Sequence, residues 1–379
     1  MSTVRTTVFQ GQGEAAPVGR RDRLESIAQA RRAVLAERAP SATPWVQPWI
    51  EQSWRRCLSR GQQPQQRVVF DAVSAADMRR AIEASQPLLH AATPVIRSLA
   101  RAMADTRYFA ILTDARGVVI DVNGPVDRQD RRATAIARVG VDLSEAAVGT
   151  TAIGATLTDE HPVWLHRGEH FFDDTAVYSC AGAPVFGPDG RCVGMLDLTG
   201  VDVPERPALK HLVAQAARSI ENALTLAQPH PLLLRLHWPG RVLGEDGDGL
   251  VGVDADGRIT AANRAAMEML TLIPGAPWPH CDDVFAVPTD VLFDAARAGR
   301  GATEVPLWCG LRLQVLALQG SGQEHPTRAN AKHAMGVPLR EVESALIRRA
   351  VEEAGGNVAV AARALGISRA TVYRKLERH

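Results

Sequence analysis

The stretch SCAGAPVFGPDGRCVGMLDLTG, residues 179–200, alternates small and apolar side chains on both sides of the turn Gly187-Pro188-Asp189-Gly190. Proline presets φ and glycine tolerates positive φ, so this punctuation between two apolar runs predicts a β-hairpin. With Gly187 opposite Gly190, Cys180 is expected to face Asp197 and Cys192 to face Val185. Side chains alternate across a strand. Cys180, Gly182, Pro184 and Phe186 therefore share one face with Val193, Met195 and Asp197. The other face (Ala181, Ala183, Val185, Leu196, Leu198) is small and apolar, suited to packing under helices. The two cysteines fall several residue pairs apart, beyond the ~7 Å Cα limit for a disulfide, and read as thiols.

Working outward, YFAILTD (108–114) and GVVIDVNG (117–124) read as two short strands, and VWLHRG (163–168) as another. Leu209, Leu212, Val213, Ala216, Ile220 and Leu224 recur at three- and four-residue steps and predict an amphipathic helix over 205–227. Residues 75–104 read as helix interrupted near Pro87 and Pro94; residues 21–38 also have helical spacing. Helix, sheet and helix make one α+β domain. QPHPLLLRLHWPG (228–240) reads as a linker into a second, smaller α+β unit, built from GLVGVD, RITAAN, RAAMEML, EVPLW and LRLQVLAL. The expected boundaries are a helical extension 1–44, a first domain 45–227, a second 228–318, a flexible tether 319–337 and a helical tail 338–379.

Composition restricts what such a chain does. Forty-three basic residues against 42 acidic give a net charge of +1, which excludes binding polyanions through bulk charge. A nucleic-acid site must then be a local patch. No secretory signal and no apolar run of the ~18–20 residues needed to cross a bilayer are visible, so a soluble cytoplasmic chain without membrane partners is expected. The five scattered cysteines fit a reducing compartment. Lys210, Lys332 and Lys375 are the only lysines; none follows glycine or precedes Ser or Thr. A phosphate-binding loop needs Gly-Lys-[Ser/Thr], so no Walker-type ATPase is expected. His161, His166 and His170 are too loosely spaced to predict a metal site. Asp173-Asp174 and Asp282-Asp283 have no nucleophile–base partners, and read as turn residues. Neither a cofactor nor an enzymatic activity is expected.

The tail carries the local charge. Gly355-Gly356 ends one helix, Asn357 can cap a second, and Gly366 turns the chain into a third, RATVYRKLERH, capped by Ser368. Two short helices around a glycine turn make a helix-turn-helix. From Asn357 onward, Arg363, Arg369, Arg374, Lys375 and Arg378 are opposed by Glu377 alone. With Val372 and Leu376 inward, Ala370, Thr371, Arg374 and Arg378 point outward, as a helix entering a major groove requires. A plain helical bundle with a solvated basic face is the competing reading.

The segment GNVAVAARALGISRATVYRKL resembles the Fis-type helix-turn-helix that ends many bacterial activators. The resemblance implies that Ser368, Arg369, Thr371, Tyr373 and Arg374 stand at DNA-contacting positions, with Lys375 beside them. Tyr373 replaces a more usual basic residue. SWRRC (53–57), GTTAIG (149–154), GEHF (168–171), SCAGAP and GMLDLTG are similar to the GAF sensor of acetoin-catabolism-type regulators, over roughly residues 45–225. Thr151 stands where those sensors often carry asparagine, and Leu143 where tryptophan is frequent. GLVGVDADGRITAANRAA resembles their short PAS-like unit. The implied architecture is multidomain: an α+β GAF sensor, a small α+β PAS-like domain and an all-α Fis-type helix-turn-helix. In such regulators an ATPase that remodels the σ54 holoenzyme normally precedes the tail; here the tether takes its place, without a Walker lysine or a GAFTGA loop.

The implied function is a ligand-responsive, sequence-specific transcription regulator, a homodimer on an inverted repeat of double-stranded DNA, acting through RNA polymerase. The alternative is an interaction partner of a full-length, ATPase-bearing activator. A small organic effector is expected on the Cys180/Asp197 face, with Trp164, Phe171, Tyr178 and Met195 as further candidate contacts. Those same residues also read as ordinary core around an empty pocket.

Overall fold

The computed structural model describes residues 20–37 and 44–320, with Val358 and Ala362 beyond them. Helix α1 (Arg20–Arg31) runs into a π-turn over Arg32–Ala36, and α2 (Pro48–Ser59) follows. Ser74 accepts the Asp77 N–H and caps α3 (Ala75–Ala84). Helix α4 (Gln86–Ala102) has Pro87 in its first turn, where a missing N–H costs nothing, and it passes through Pro94 unbroken. The interruption expected at Pro94 is therefore absent. Strands β1 (Tyr108–Asp114) and β2 (Val119–Asn123) precede three short helices, α5 (Arg131–Ile136), α6 (Glu145–Val148) and α7 (Ala152–Asp159). Then come β3 (Val163–His166), β4 (Tyr178–Phe186), β5 (Cys192–Val201) and α8 (Leu209–Leu226). The sheet is antiparallel throughout, in the order β2-β1-β5-β4-β3.

Both sheet faces are covered, so the strand residues divide by their two-residue period. Tyr108, Ala110 and Leu112 of β1 pack with Ala181, Ala183, Leu196 and Leu198 beneath α4 and α8. Ile96, Leu99, Val213, Ile220 and Leu224 are the helix side of that core. Phe109 and Ile111 point the other way and join Cys180, Met195, Leu143, Val148 and Ile153.

The hairpin closes differently from expectation. Gly187 N–H donates to Arg191 O at 2.8 Å, and Gly190 takes the left-handed position at φ 80°, so the turn holds one residue more. A bulge at Val185/Phe186 inserts a second, on the β5 side. Cys180 thus pairs with Thr199, Gly182 with Asp197 and Phe186 with Cys192. One inserted residue alone would exchange the faces. Two restore them, and only Val193, at the bulge, joins the helix-side core instead of its expected face. Cys180 and Cys192 are free thiols.

The segment 228–240 is not a linker. It forms β6 (Leu232–His237), the central strand of a second antiparallel sheet. That sheet adds β7 (Gly249–Val253), β8 (Ile259–Ala262), β9 (Thr303–Pro306) and β10 (Arg312–Gln319), in the order β8-β7-β6-β10-β9. Helices α9 (Arg264–Leu270), α10 (Cys281–Val284) and α11 (Thr289–Arg297) lie between β8 and β9. Leu232, Leu234 and Leu236 pack with Val251, Met267, Phe285 and Leu313 in one core. The prolines that suggested a linker, Pro229, Pro231 and Pro239, lie just outside the strand, where no ladder N–H is needed.

The two sheets belong to one compact unit that ends at Gly322. The tip of the first hairpin reaches the second sheet, where Ala262 N–H donates to Pro188 O at 2.9 Å. Asn263 donates to Asn222 Oδ1 at 2.7 Å, and the Arg264 guanidinium lies 4.6 Å from the Phe186 ring centroid. In the separate unit 323–379, Val358 and Ala362 are helical and Ala362 is buried. Ser368, Arg369, Thr371, Tyr373, Arg374 and Lys375, the residues expected at DNA, lie outside the described residues.

Candidate functional site

A cavity of about 30 Å³ lies on the face of the first sheet opposite α4 and α8. Phe70, Ile111, Ile136, Leu143 and Ile153 supply its apolar walls. Thr151, His170, Thr175, Tyr178, Cys180, Asp197 and Thr199 supply its polar groups. Thr151 is held by its capping role, accepting Gly154 N–H at 3.1 Å at the start of α7. Tyr178 donates its hydroxyl to Arg132 O at 3.0 Å.

Asp197 is fully buried on β5. The Thr199 hydroxyl donates to its Oδ2, which leaves the Cys180 thiol to donate to Thr199 across 3.3 Å. Asp197 Oδ1 has no partner. Burial, opposed only by the Thr199 hydrogen bond, pushes this carboxyl up to about 7. His170 reaches the cavity from the segment after β3. Its Nδ1 is 2.9 Å from Arg167 O, and a carbonyl can only accept, so Nδ1 carries the proton. Burial lowers the ring to about 4, so it is neutral and Nε2 is an acceptor. That Nε2 has no partner either.

Three of the expected effector contacts, Tyr178, Cys180 and Asp197, line this cavity. Met195 packs in the core behind it without lining it. Trp164 does not reach it. Paired with Ala181, it lies in the helix-side core and turns Nε1 toward Glu205 at 3.4 Å. Phe171 is also displaced, because a 3-10 turn over Arg167–Glu169 breaks the alternation of β3. His170 points inward in its stead, and Phe171 packs on Ile50, Trp54 and Val34 of the N-terminal helical segment. The sequence offers His170 as a candidate metal ligand and as part of GEHF, and nothing in it marks this side chain for the cavity. Thr151 and Leu143, at which the sequence departs from the sensors it resembles, both line the cavity.

The motif SWRRC has a positional explanation. Ser53 donates to Glu145 Oε2 at 2.7 Å and lies 2.7 Å from Thr150 Oγ1, next to the cavity residue Thr151. Arg56 and Arg60 pair with the same buried Glu145 at 2.7 and 2.9 Å. Trp54 Nε1 donates to Glu169 O at 2.9 Å, beside His170. From α1, Arg31 donates to the carbonyls of Gly168, His170 and Phe171. Both N-terminal helices thus hold the backbone around His170, and α2 also holds Thr150 beside Thr151.

Among the described residues no group of His, Cys, Asp and Glu is arranged to hold a metal ion. His161 Nδ1 lies 3.2 Å from Asp159 O, and His166 Nδ1 lies 2.8 Å from Ser179 Oγ. The acidic pairs have structural partners. Asp173 pairs with Arg31 and Asp174 accepts Val68 N–H, while Asp282 accepts the Thr289 N–H and hydroxyl. No described helix is long and apolar enough to cross a membrane.

Residues 29–222, just over half of the sequence, match the family described as MimR, N-terminal domain. The chain belongs to that family. Residues 338–379 match the bacterial regulatory protein, Fis family. The acetoin catabolism regulatory protein of Cupriavidus necator is 28% identical over 287 residues, which are 73% of this chain and 42% of that protein. The propane 2-monooxygenase operon transcriptional activator MimR of Mycolicibacterium smegmatis is 31% identical over 173 residues, 43% of this chain and 30% of its own. In the crystal structure of the E. coli DhaR(N)–DhaL complex, one chain aligns at 15% identity with TM-score 0.45, covering 72% of this chain and 99% of that one. The chain spans less than half the length of these curated relatives. It joins a MimR-type N-terminal domain to a Fis-family segment, and its relatives are transcriptional regulators.

Proposed function

We propose that the protein is a cytoplasmic, ligand-responsive transcription regulator. In this reading a GAF-type sensor (45–227) binds a small organic effector, a PAS-like unit (228–318) follows, and a Fis-type helix-turn-helix (338–379) reads DNA through Arg369, Arg374 and their neighbours. The observation that carries the reading is the presence, in one chain, of a MimR N-terminal match and a Fis-family match. The buried polar cavity supports the sensory half of it. A homodimer fits, because a two-fold pair of recognition helices suits an inverted repeat with half-sites about one helical turn, or a multiple, apart. Its test is a footprint of the purified chain on the DNA around its own coding region, with mass measured by light scattering. A protected inverted repeat and a dimer mass are expected; a monomer that protects nothing overturns the reading.

A second reading is favoured by the lysine census. Without Gly-Lys-[Ser/Thr], the sequence lacks the group that reaches the β/γ-phosphates of ATP. On this reading the chain pairs with, or competes against, an ATPase-bearing activator and does no ATP-driven work itself. Footprints with and without such an activator separate the two, since only the second predicts that promoter output depends on its presence.

A further inference from the structure

A larger space, a cleft of about 290 Å³, lies where the first sheet's elements meet the second's. One face of α8 runs along it, on which Ala214, Ala217, Arg218 and Glu221 recur at three- and four-residue steps. Ala183 and Pro184 of β4 line it from the first sheet, and Arg264 and Glu268 of α9 from the second domain. At ~30 Å³ for each water of the liquid, the cleft has room for a molecule of about ten non-hydrogen atoms. It shares no lining residue with the cavity beside Asp197.

Two of its charges are matched already. Arg264 Nε lies 2.9 Å from Glu268 Oε1, and its guanidinium covers the Phe186 ring. Two on α8 are not. Glu221 is 5% exposed; its Oε1 accepts the Phe186 N–H at 3.0 Å, and its carboxyl makes no other hydrogen bond. Burial pushes that carboxyl up to about 7, against the Phe186 N–H and the charges of Arg264 and Arg218, so a close cation is lacking. Arg218, three residues earlier, is exposed and forms no ion pair. Side chains three apart on a helix are neighbours, at ~5–6 Å between Cβ atoms, yet these opposite charges do not meet.

That arrangement selects among ligands. An anion would face Glu160, Glu221 and Glu268 with one unmatched arginine to hold it. A monocation on Glu221 would stand beside Arg218 and be repelled by it. An uncharged molecule would leave both charges without a partner. A molecule with both charges on neighbouring atoms meets each of them, and an α-amino acid hangs its ammonium and carboxylate from one carbon.

We infer that this cleft is a second binding site, for an apolar α-amino acid whose ammonium meets Glu221, whose carboxylate meets Arg218 and whose side chain covers Ala214, Ala217 and Pro184. The ligand touches α8 and β4 of the first domain and α9 of the second, so its binding strengthens their junction. The site stands apart from the effector cavity and does not depend on that reading.

The test uses the full chain with L-valine, L-leucine and L-methionine, read by thermal melting and isothermal titration. At least one should bind saturably at millimolar concentration and raise the melting temperature. The two halves of the tightest binder, the amine without the carboxylate and the acid without the amine, should each bind about tenfold more weakly or worse. Arg218→Ala should bring the amino acid down to the affinity of the amine. Glu221→Gln, which keeps an acceptor for the Phe186 N–H, should bring it down to that of the acid. No saturable binding of any of the three, a half-molecule that binds as tightly as the whole, or native affinity in Arg218→Ala overturns the inference. Arg218 is exposed, and the comparison of whole and half molecules on the native chain holds even if Glu221→Gln fails to fold. None of these readings involves DNA, so a failed footprint leaves them intact.

Discussion

Asp197 and Glu145 are both buried carboxylates, and their surroundings drive them in opposite directions. Burial raises Asp197 to about 7 with only Thr199 to counter it. A folded-state value above the ordinary ~3.9 means the folded protein keeps a proton that the unfolded chain has released. That contribution is complete below about pH 4 and lost as pH rises through about 7. Asp197→Asn does not titrate, so its stability relative to the native chain should increase between about pH 5 and pH 8, by on the order of 2–4 kcal/mol. Urea midpoints across that range check it, and a constant difference would refute it. At Glu145 burial is again the largest influence, but hydrogen bonds from Arg56 and Ser53 and the charges of Arg56 and Arg60 outweigh it and hold the carboxyl below its usual range. This contribution is present above about pH 4.3 and is lost as pH falls through the lower folded value. Glu145→Gln should therefore cost about 1–3 kcal/mol at neutral pH, with the deficit narrowing in acid.

At the scale of elements, the hairpin shows how backbone geometry decides what side-chain patterning cannot. Alternation assigns faces correctly for residues 180–184 and 195–198, because an even register error leaves them unchanged. Pairing partners depend on the turn and the bulge, neither of which has a sequence mark beyond the glycines. Gly194 has a reason to be glycine. A Cβ there would collide with the Thr113 carbonyl of β1 and stand 2.8 Å from Leu88 Cδ2 of α4. Gly194→Ala should force β5 away from β1 and α4 and cost about 1–3 kcal/mol. A lowered denaturant midpoint at unchanged slope is the expected signature. A native-like midpoint would mean that the strand relaxes freely. Strand β6 makes the complementary point: LLLRL has no clean alternation because a central strand is buried on both faces, and prolines on either side resemble linker punctuation.

For the whole molecule, the DNA-binding expectations rest on the tail. Arg369 and Arg374 are expected on the helix that enters the groove, and Arg363 on the one before it. Losing a base-directed arginine should cost about 1–3 kcal/mol and relax preference at one base pair. Arg363→Ala should weaken all sequences alike and make the salt dependence shallower. Mobility-shift titrations on the footprinted site and a scrambled one distinguish these outcomes. If Arg369→Ala and Arg374→Ala change neither affinity nor preference, the third tail helix is not the reader.

Sequence alone determined the strands and long helices of the first sheet, the free thiols, the absence of a phosphate-loop lysine and the Fis-like tail. These follow from local signals: two- and 3.6-residue periods, turn residues, and motifs whose spacing is covalent. It also placed Tyr178, Cys180 and Asp197 together, because they lie on one face of neighbouring strands. The tertiary structure alone decided that Trp164 turns to the helices, that Phe171 serves the N-terminal segment, and that His170 enters the cavity. It also decided that the segment 228–240 contributes a central strand, Leu232–His237. Each of these depends on a turn, a bulge or a long-range pairing, and such features are selected by what packs against them rather than by the residues nearest in the chain.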